Sequence, residues 1–229
     1  MSREKIWLSW SSGKDSAWSL HTLRLGNEYE VVALLTTINQ AVGRVAMHAV
    51  REELLEAQAA SLGLSLVKVF IPSPCPNEAY ELAMAQAMVQ ARAEGISRIA
   101  FGDLFLEDIR KYREEKLAAV GMEPVFPIWG LETRGLAQEM VRAGLRAFVT
   151  CVNPKLLDPR FAGRIFDEQF LAELPESVDP CAERGEFHTC VYAGPMFKKP
   201  LPVRAGEIVT RDGFVFADAL LSEAAPAHA

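Results

Sequence analysis

The chain has 229 residues, is 50% hydrophobic and carries a formal net charge of −6. That length can bury a full core in one main domain with a smaller appendage, and the mild acidity argues against a broad nucleic-acid-binding face. No run of about eighteen apolar residues is present, so no membrane span is expected, and the opening MSREKIWLSW lacks the layout of a secretory signal, so a cytoplasmic location is expected.

In chain order, residues 5–10 (KIWLSW) read as a short buried strand. A turn of small residues and a helix from Asp15 to about Arg24 follow, closed near Gly26. Residues 30–37 (EVVALLTT) form a second apolar strand rich in β-branched residues. A loop around Gln40–Arg44 leads to a helix at about 47–62, stopped by Gly63. The strand Leu64–Phe70, a proline-rich turn, a helix at about 78–94 and the strand Ser97–Gly102 come next. A charged helix is expected at about 107–120, a short strand at Pro124–Phe126, a helix at about 133–143 and a strand at Arg146–Val152. Then follow a helix near 167–173, a loop full of polar residues, and a hairpin over Glu207–Leu221 turning at Arg211-Asp212-Gly213.

This alternation predicts an α/β fold, a Rossmann-like parallel sheet with helices on both faces. The sheet domain is expected over residues 1–153, and a smaller C-terminal α+β portion over 154–229. Ligands of such sheets sit beyond the carboxyl ends of the strands. That places Ser9–Ser16, Thr36–Asn39, Gly102–Asp103 and Asn153 along one rim. The four cysteines, Cys75, Cys151, Cys181 and Cys190, include no C-x-x-C pair, so reduced thiols are expected rather than disulfides or zinc.

The string Ser11-Ser12-Gly13-Lys14-Asp15-Ser16 lies directly between the first strand and the first helix. Small residues let the backbone approach an anion, and a helix start aims free N–H groups and a positive dipole end at it. Lys14 adds charge, Ser11, Ser12 and Ser16 add hydroxyls, and Asp15 can cap the helix or hold a magnesium ion. It is not a Walker A loop, because position 8 is Leu8, and no G-x-G-x-x-G occurs.

The string resembles the PP-loop, S-G-G-K-D-S, of the N-type ATP pyrophosphatases, with Ser12 in place of the first glycine. Further segments narrow the likeness: Arg44 to His48, Leu54 to Gln58, Phe101-Gly102-Asp103 with Arg110 and Tyr112-Arg113, Pro127 to Gly130, and Val178 to Thr189 followed by Gly194-Pro195. Together these look like the diphthine–ammonia ligase family of adenine nucleotide alpha hydrolase-like proteins over nearly the whole chain. Ala182, Arg184 and Ala193 depart from its usual Gly, Asn and Asp.

The resemblance implies a cofactor set of ATP and Mg2+ and a reaction in which a carboxylate is adenylated, pyrophosphate leaves and ammonia displaces AMP. The partners implied are a small-molecule or protein carboxylate and ammonia; nucleic acid is not expected, and a homodimer is an allowed state. Lys14 and the loop amides would neutralise the departing pyrophosphate. Asp15 and Asp103 are the candidate magnesium ligands. ATP is expected along Ser9, the 11–16 loop and Gly102, with adenine against Leu35 and Thr36 and phosphate near His48. Glu183, Glu186 and His188, with Gly185 and Thr189, form the candidate second site, where two carboxylates and an imidazole can guide ammonium and remove its proton. Arg44, Arg110, Tyr112 and Arg113 are candidate contacts to an anionic substrate. Plainer readings stand beside these: a buried or capping His48, a turn residue at Asp103, a structural turn network at 183–188 and a solvated face at 110–113. Two other functions share the loop, a tRNA-modifying enzyme of the thiolation type and a non-catalytic nucleotide-binding protein.

Overall fold

The computed structural model describes residues 3–222. Strand β1 (Glu4–Ser9) sends Ile6 and Leu8 into one apolar cluster and Trp7 into another, and all three are fully buried. Burial on both faces is what an interior parallel strand requires. Helix α1 (Lys14–Leu25) follows a tight turn and leads to β2 (Tyr29–Asn39), which runs parallel to β1 from Tyr29 to Leu35 and outlasts it. Short β3 (Arg44–Val45) folds back antiparallel onto Ile38 and Asn39. Helix α2 (Glu52–Leu62) ends at Gly63, whose φ of 68° is the left-handed conformation that glycine adopts without a Cβ penalty.

Strand β4 (Ser65–Ile71) pairs parallel with β2, and α3 (Asn77–Ala93), β5 (Arg98–Ala100), α4 (Glu107–Ala118) and β6 (Glu123–Val125) complete the layer. The parallel strands lie in the order β4-β2-β1-β5-β6. The chain steps outward from β1 to β4 and then returns to β5 on the other side of β1. That reversal falls between β1 and β5, and the region beyond their carboxyl ends is the usual ligand position in such sheets. Leu20 of α1 and Leu54 of α2 cover one face; Met88 of α3 and Leu117 of α4 cover the other.

Helix α5 (Thr133–Arg142) leads to β7 (Arg146–Val152), which corrects the expected extent of the parallel sheet. Strand β7 pairs antiparallel with β8 (Phe187–Ala193) and β10 (Phe214–Leu221), and β9 (Val203–Arg211) completes a four-stranded second sheet in the order β8-β7-β10-β9. The parallel sheet therefore ends at β6. As an interior strand of the second sheet, β7 buries Ala147, Val149, Cys151 and Val152, an apolar run that periodicity cannot tell from a parallel strand. Asn153 goes with it, donating its N–H to the Glu186 carbonyl at 2.9 Å, so it belongs to the second sheet and not to the parallel rim. Helix α6 (Glu168–Glu173) sits where a helix was expected, and part of the expected polar loop is β8. Leu20 and Leu54 share one apolar cluster with Val149, Val191 and Ala217, so the second sheet packs on the α1–α2 side and sets β8 against the turn before α1.

Candidate active site

The turn between β1 and α1 is gripped from behind. Gly13 caps α1 with extended backbone, and Ser12 before it has a φ of 68°. The Ser12 carbonyl accepts from Val191 N–H at 2.9 Å and from Gln58 Nε2 at 3.3 Å. Lys14 N–H donates to Thr189 Oγ1 at 3.1 Å. At the front, Gly13 N–H donates to Ser11 Oγ at 3.3 Å, and the Ser16 hydroxyl donates to the Gly13 carbonyl at 3.0 Å. The first bond of the helix runs from Ala17 N–H to the Gly13 carbonyl, which leaves Asp15 and Ser16 N–H without an intrahelical acceptor, at the positive end of the helix dipole.

Gly102, just past β5, touches this turn. A Cβ there would lie 3.0 Å from the Asp15 carbonyl carbon and 3.1 Å from Ser16 N, so the close approach of β5 to α1 depends on glycine. Ser9 ends β1 beside the turn. Leu35 and Thr36 lie in the seam behind it: the Leu35 carbonyl accepts from Trp10 N–H, and Thr36 Oγ1 donates to the Trp10 carbonyl, both at 2.8 Å. These two groups are engaged with β1's continuation and not with an open rim.

The Lys14 ammonium turns inward. The residue is 2% exposed, and Nζ donates to Asp15 Oδ2 at 2.9 Å and to the Cys181 carbonyl, 5.3 Å from the Phe187 ring centre and 5.9 Å from that of Phe166. Burial opposes its charge, but Asp15 and other neighbours outweigh burial and hold its pKa above the ordinary lysine value. Asp15 Oδ1 is buried and has no partner.

Segment 179–189 faces the turn. Glu183 Oε1 accepts from Leu104 N–H at 2.7 Å and Phe105 N–H at 3.4 Å, which pins the segment to the exit of β5. Burial lifts its carboxyl to about 7, with Asp15 and Asp103 adding to the rise. Glu186 is buried, and its two oxygens accept from Asp179 N–H and Arg184 N–H at 3.1 Å each, so it braces its own loop. Gly185 turns the chain there with a φ of 81°. His48 is not on a helix; it sits in a turn before α2, between Met47 and Ala49, which have φ of 62° and 56°. Its ring packs on His188 at 4.6 Å, Nδ1 lies 2.9 Å from the Thr189 carbonyl, and its Cε1 stands 2.6 Å from where a Gly13 Cβ would be. Burial lowers His48 to about 4 and His188 to about 3, so both imidazoles are neutral near pH 7.

Two family models divide this architecture between them. The model described as the diphthamide synthase N-terminal domain matches residues 4–124, and that of the diphthamide synthase C-terminal domain matches residues 132–218. The chain belongs to the diphthamide synthase family. Relatives in this family include proteins named diphthine–ammonia ligase from Bos taurus and Homo sapiens, each 26% identical over 90% of this chain and 85% of its own length. A solved chain described as a predicted subunit of a tRNA methyltransferase from Methanocaldococcus jannaschii aligns over 56% of this chain and 69% of its own, at 19% identity and a TM-score of 0.34, too low to bear on the fold.

Other anticipated residues of this diphthamide synthase family member lie outside the turn's front. Both Asp103 oxygens are held by Arg113, at 2.6 and 3.0 Å, and the Arg113 guanidinium stacks 4.2 Å from the Phe101 ring centre. Arg110 pairs with Glu114 at 2.8 Å and lies over Phe126 and Trp129, while Tyr112 is 39% exposed. Arg44 and Arg51 both clamp Asp218 of β10, beside a cavity of about 440 Å³ that Cys151 and Phe216 also line. Burial raises the thiols of Cys151, Cys181 and Cys190, that of Cys151 to about 12. Gln58 and Asp218 were not anticipated as site-building residues. Gln58 stood within a quoted motif, whereas no local pattern singles out an acid in a hairpin that meets two distant arginines.

Proposed function

We propose that this chain is an ATP-dependent, AMP-forming carbon–nitrogen ligase that adenylates a carboxylate, releases pyrophosphate and passes the acyl group to ammonia. One observation carries the reading: the Ser11–Ser16 turn stands at the switch point between β1 and β5 with the start of α1 behind it. The N–H groups of Asp15 and Ser16 and the hydroxyl of Ser11 are suited to hold a triphosphate there. The relatives named for diphthine and ammonia supply the substrate classes, a carboxylate and ammonia.

Magnesium fits Asp15 better than Asp103. The orphaned, buried Oδ1 of Asp15 at the phosphate turn offers one carboxylate oxygen, and such an ion takes its other ligands from phosphate and water. The oxygens of Asp103 are committed to Arg113. When bound, the ion would neutralise charge on the departing pyrophosphate.

Of Glu183, Glu186 and His188, we take Glu183 as the acid–base group, on the support of its raised carboxyl. A carboxyl held near 7 can take a proton from ammonium at neutral pH, freeing the lone pair that attacks the acyl carbon while AMP leaves with the bonding electrons. Glu186 spends its oxygens on backbone amides, and His188 stays neutral. The buried, raised thiols of Cys151, Cys181 and Cys190 weigh against a thiolation role at those three positions; Cys75 lies apart, half-buried before α3.

The test is product analysis with ATP, Mg2+, ammonium chloride and a panel of carboxylates that includes a diphthine peptide. The expected outcome is AMP and pyrophosphate in equal amounts, with amide formation dependent on ammonium. Formation of ADP and phosphate, or nucleotide bound without turnover across the panel, would contradict it.

A further inference from the structure

We propose that Lys14 is a positioning residue that locks the 179–189 segment onto the phosphate turn, and not a phosphate ligand; the second half of this claim rests on the ATP reading above. The direct contacts of its ammonium are to Asp15 and to the C-terminal half: the Cys181 carbonyl and the faces of Phe166 and Phe187. Its backbone N–H faces the same way, toward Thr189. At 2% exposure the ammonium is turned away from solvent, and drawing it forward onto a phosphate would take it from these partners. The move would strip the Asp15 carboxylate and the Cys181 carbonyl of their donor in a buried place, where an unpaired charge costs far more than the pair contributes.

The contacts form a closed circuit. Lys14 holds Cys181; two residues on, Glu183 N–H donates to Asp179 Oδ2 at 2.8 Å, and Glu183 Oε1 takes the amides of Leu104 and Phe105. Leu104 follows Gly102, which touches Asp15 and closes the loop back to Lys14. The segment bearing the proposed base is thus fastened to the rim at two points, one of which is the lysine of the phosphate turn. The placement of Glu183 at the exit of β5 depends on Lys14, so phosphate turn and acceptor segment move as one unit.

Hydrogen exchange and ATP titration on the full chain test this. Lys14→Met keeps the length of the side chain and removes its donors. Amides of residues 181–189 should exchange about tenfold faster or more, while the Kd for ATP with Mg2+ moves less than about threefold. Phe187→Leu, which removes a ring face and keeps the charge, should speed exchange in the same segment and carries the test if the first variant does not fold. Unchanged exchange at 181–189 overturns the positioning role. A rise in Kd of about tenfold or more in folded Lys14→Met overturns it in favour of a phosphate contact. If the wild-type chain binds no ATP, the ATP reading fails separately, and the exchange result alone decides the positioning role.

Discussion

Ser12 and Ala182 hold left-handed backbone, with φ of 68° and 58°. A residue with a Cβ gives up about 1–2 kcal/mol there. Both positions carry glycine in the pattern that the sequence resembles, so the departures were visible in the sequence, but their backbone conformation was not. Ala182→Gly relieves the strain at the cost of some unfolded-state entropy, and a net gain of about 0.5 kcal/mol is expected, read as a higher melting midpoint; an unchanged or lower midpoint would refute the strain. Glu183 was legible only as one of three candidates. Its carboxyl, raised by burial, is what favours it, and that burial is tertiary: the amides that hold it lie 78 and 79 positions away in the chain. Glu183→Gln should lower the ammonia-dependent rate by about 10²–10⁴-fold and leave ATP affinity unchanged. A loss of nucleotide affinity equal to the loss of rate would assign it to the phosphate site.

At the level of elements, the close approach of β5 to α1 shapes the proposed ligand position. Gly102→Ala places a methyl 3.0 Å from the Asp15 backbone, where no flexible side chain can yield. A loss of about 1–3 kcal/mol is expected in denaturant melts, together with weakened ATP binding. A variant as stable as the parent would show that the two elements have room to spare. Most helices and the parallel strands could be read from the sequence within a few residues, because their apolar spacing and terminal glycines are local signals. Strand β7 was readable as a strand but not as a member of the second sheet, since its pairing with β8 and β10 is set by residues some forty to seventy positions downstream. Likewise β3 is only two residues long, too short for any periodicity.

For the whole molecule, the seam between the two sheets sets the response to acid. His48 and His188 are half-buried there, with pKa values of about 4 and 3 against an ordinary 6.5. Between those values the unfolded chain binds more protons than the folded one, so their contribution to stability is complete above 6.5 and is lost as pH falls through this window. Glu183, raised to about 7, acts in the opposite sense from about 4.5 upward, and so does the burial-raised carboxyl of Asp15, so a variant isolates the imidazole share. His48→Gln should lose less stability than the parent chain between pH 6.5 and 4.5. An equally steep fall in the variant would remove His48 from the account.

The central claim is that the turn before α1 holds the triphosphate. The most direct measurement is a crystal structure with Mg2+ and α,β-methylene-ATP, whose bridging carbon blocks release of pyrophosphate. The account predicts phosphate oxygens on the N–H groups of Asp15 and Ser16, the metal on Asp15 Oδ1 and the Lys14 ammonium still on Cys181. Nucleotide bound elsewhere, with the turn from Ser11 to Ser16 bare, would contradict it.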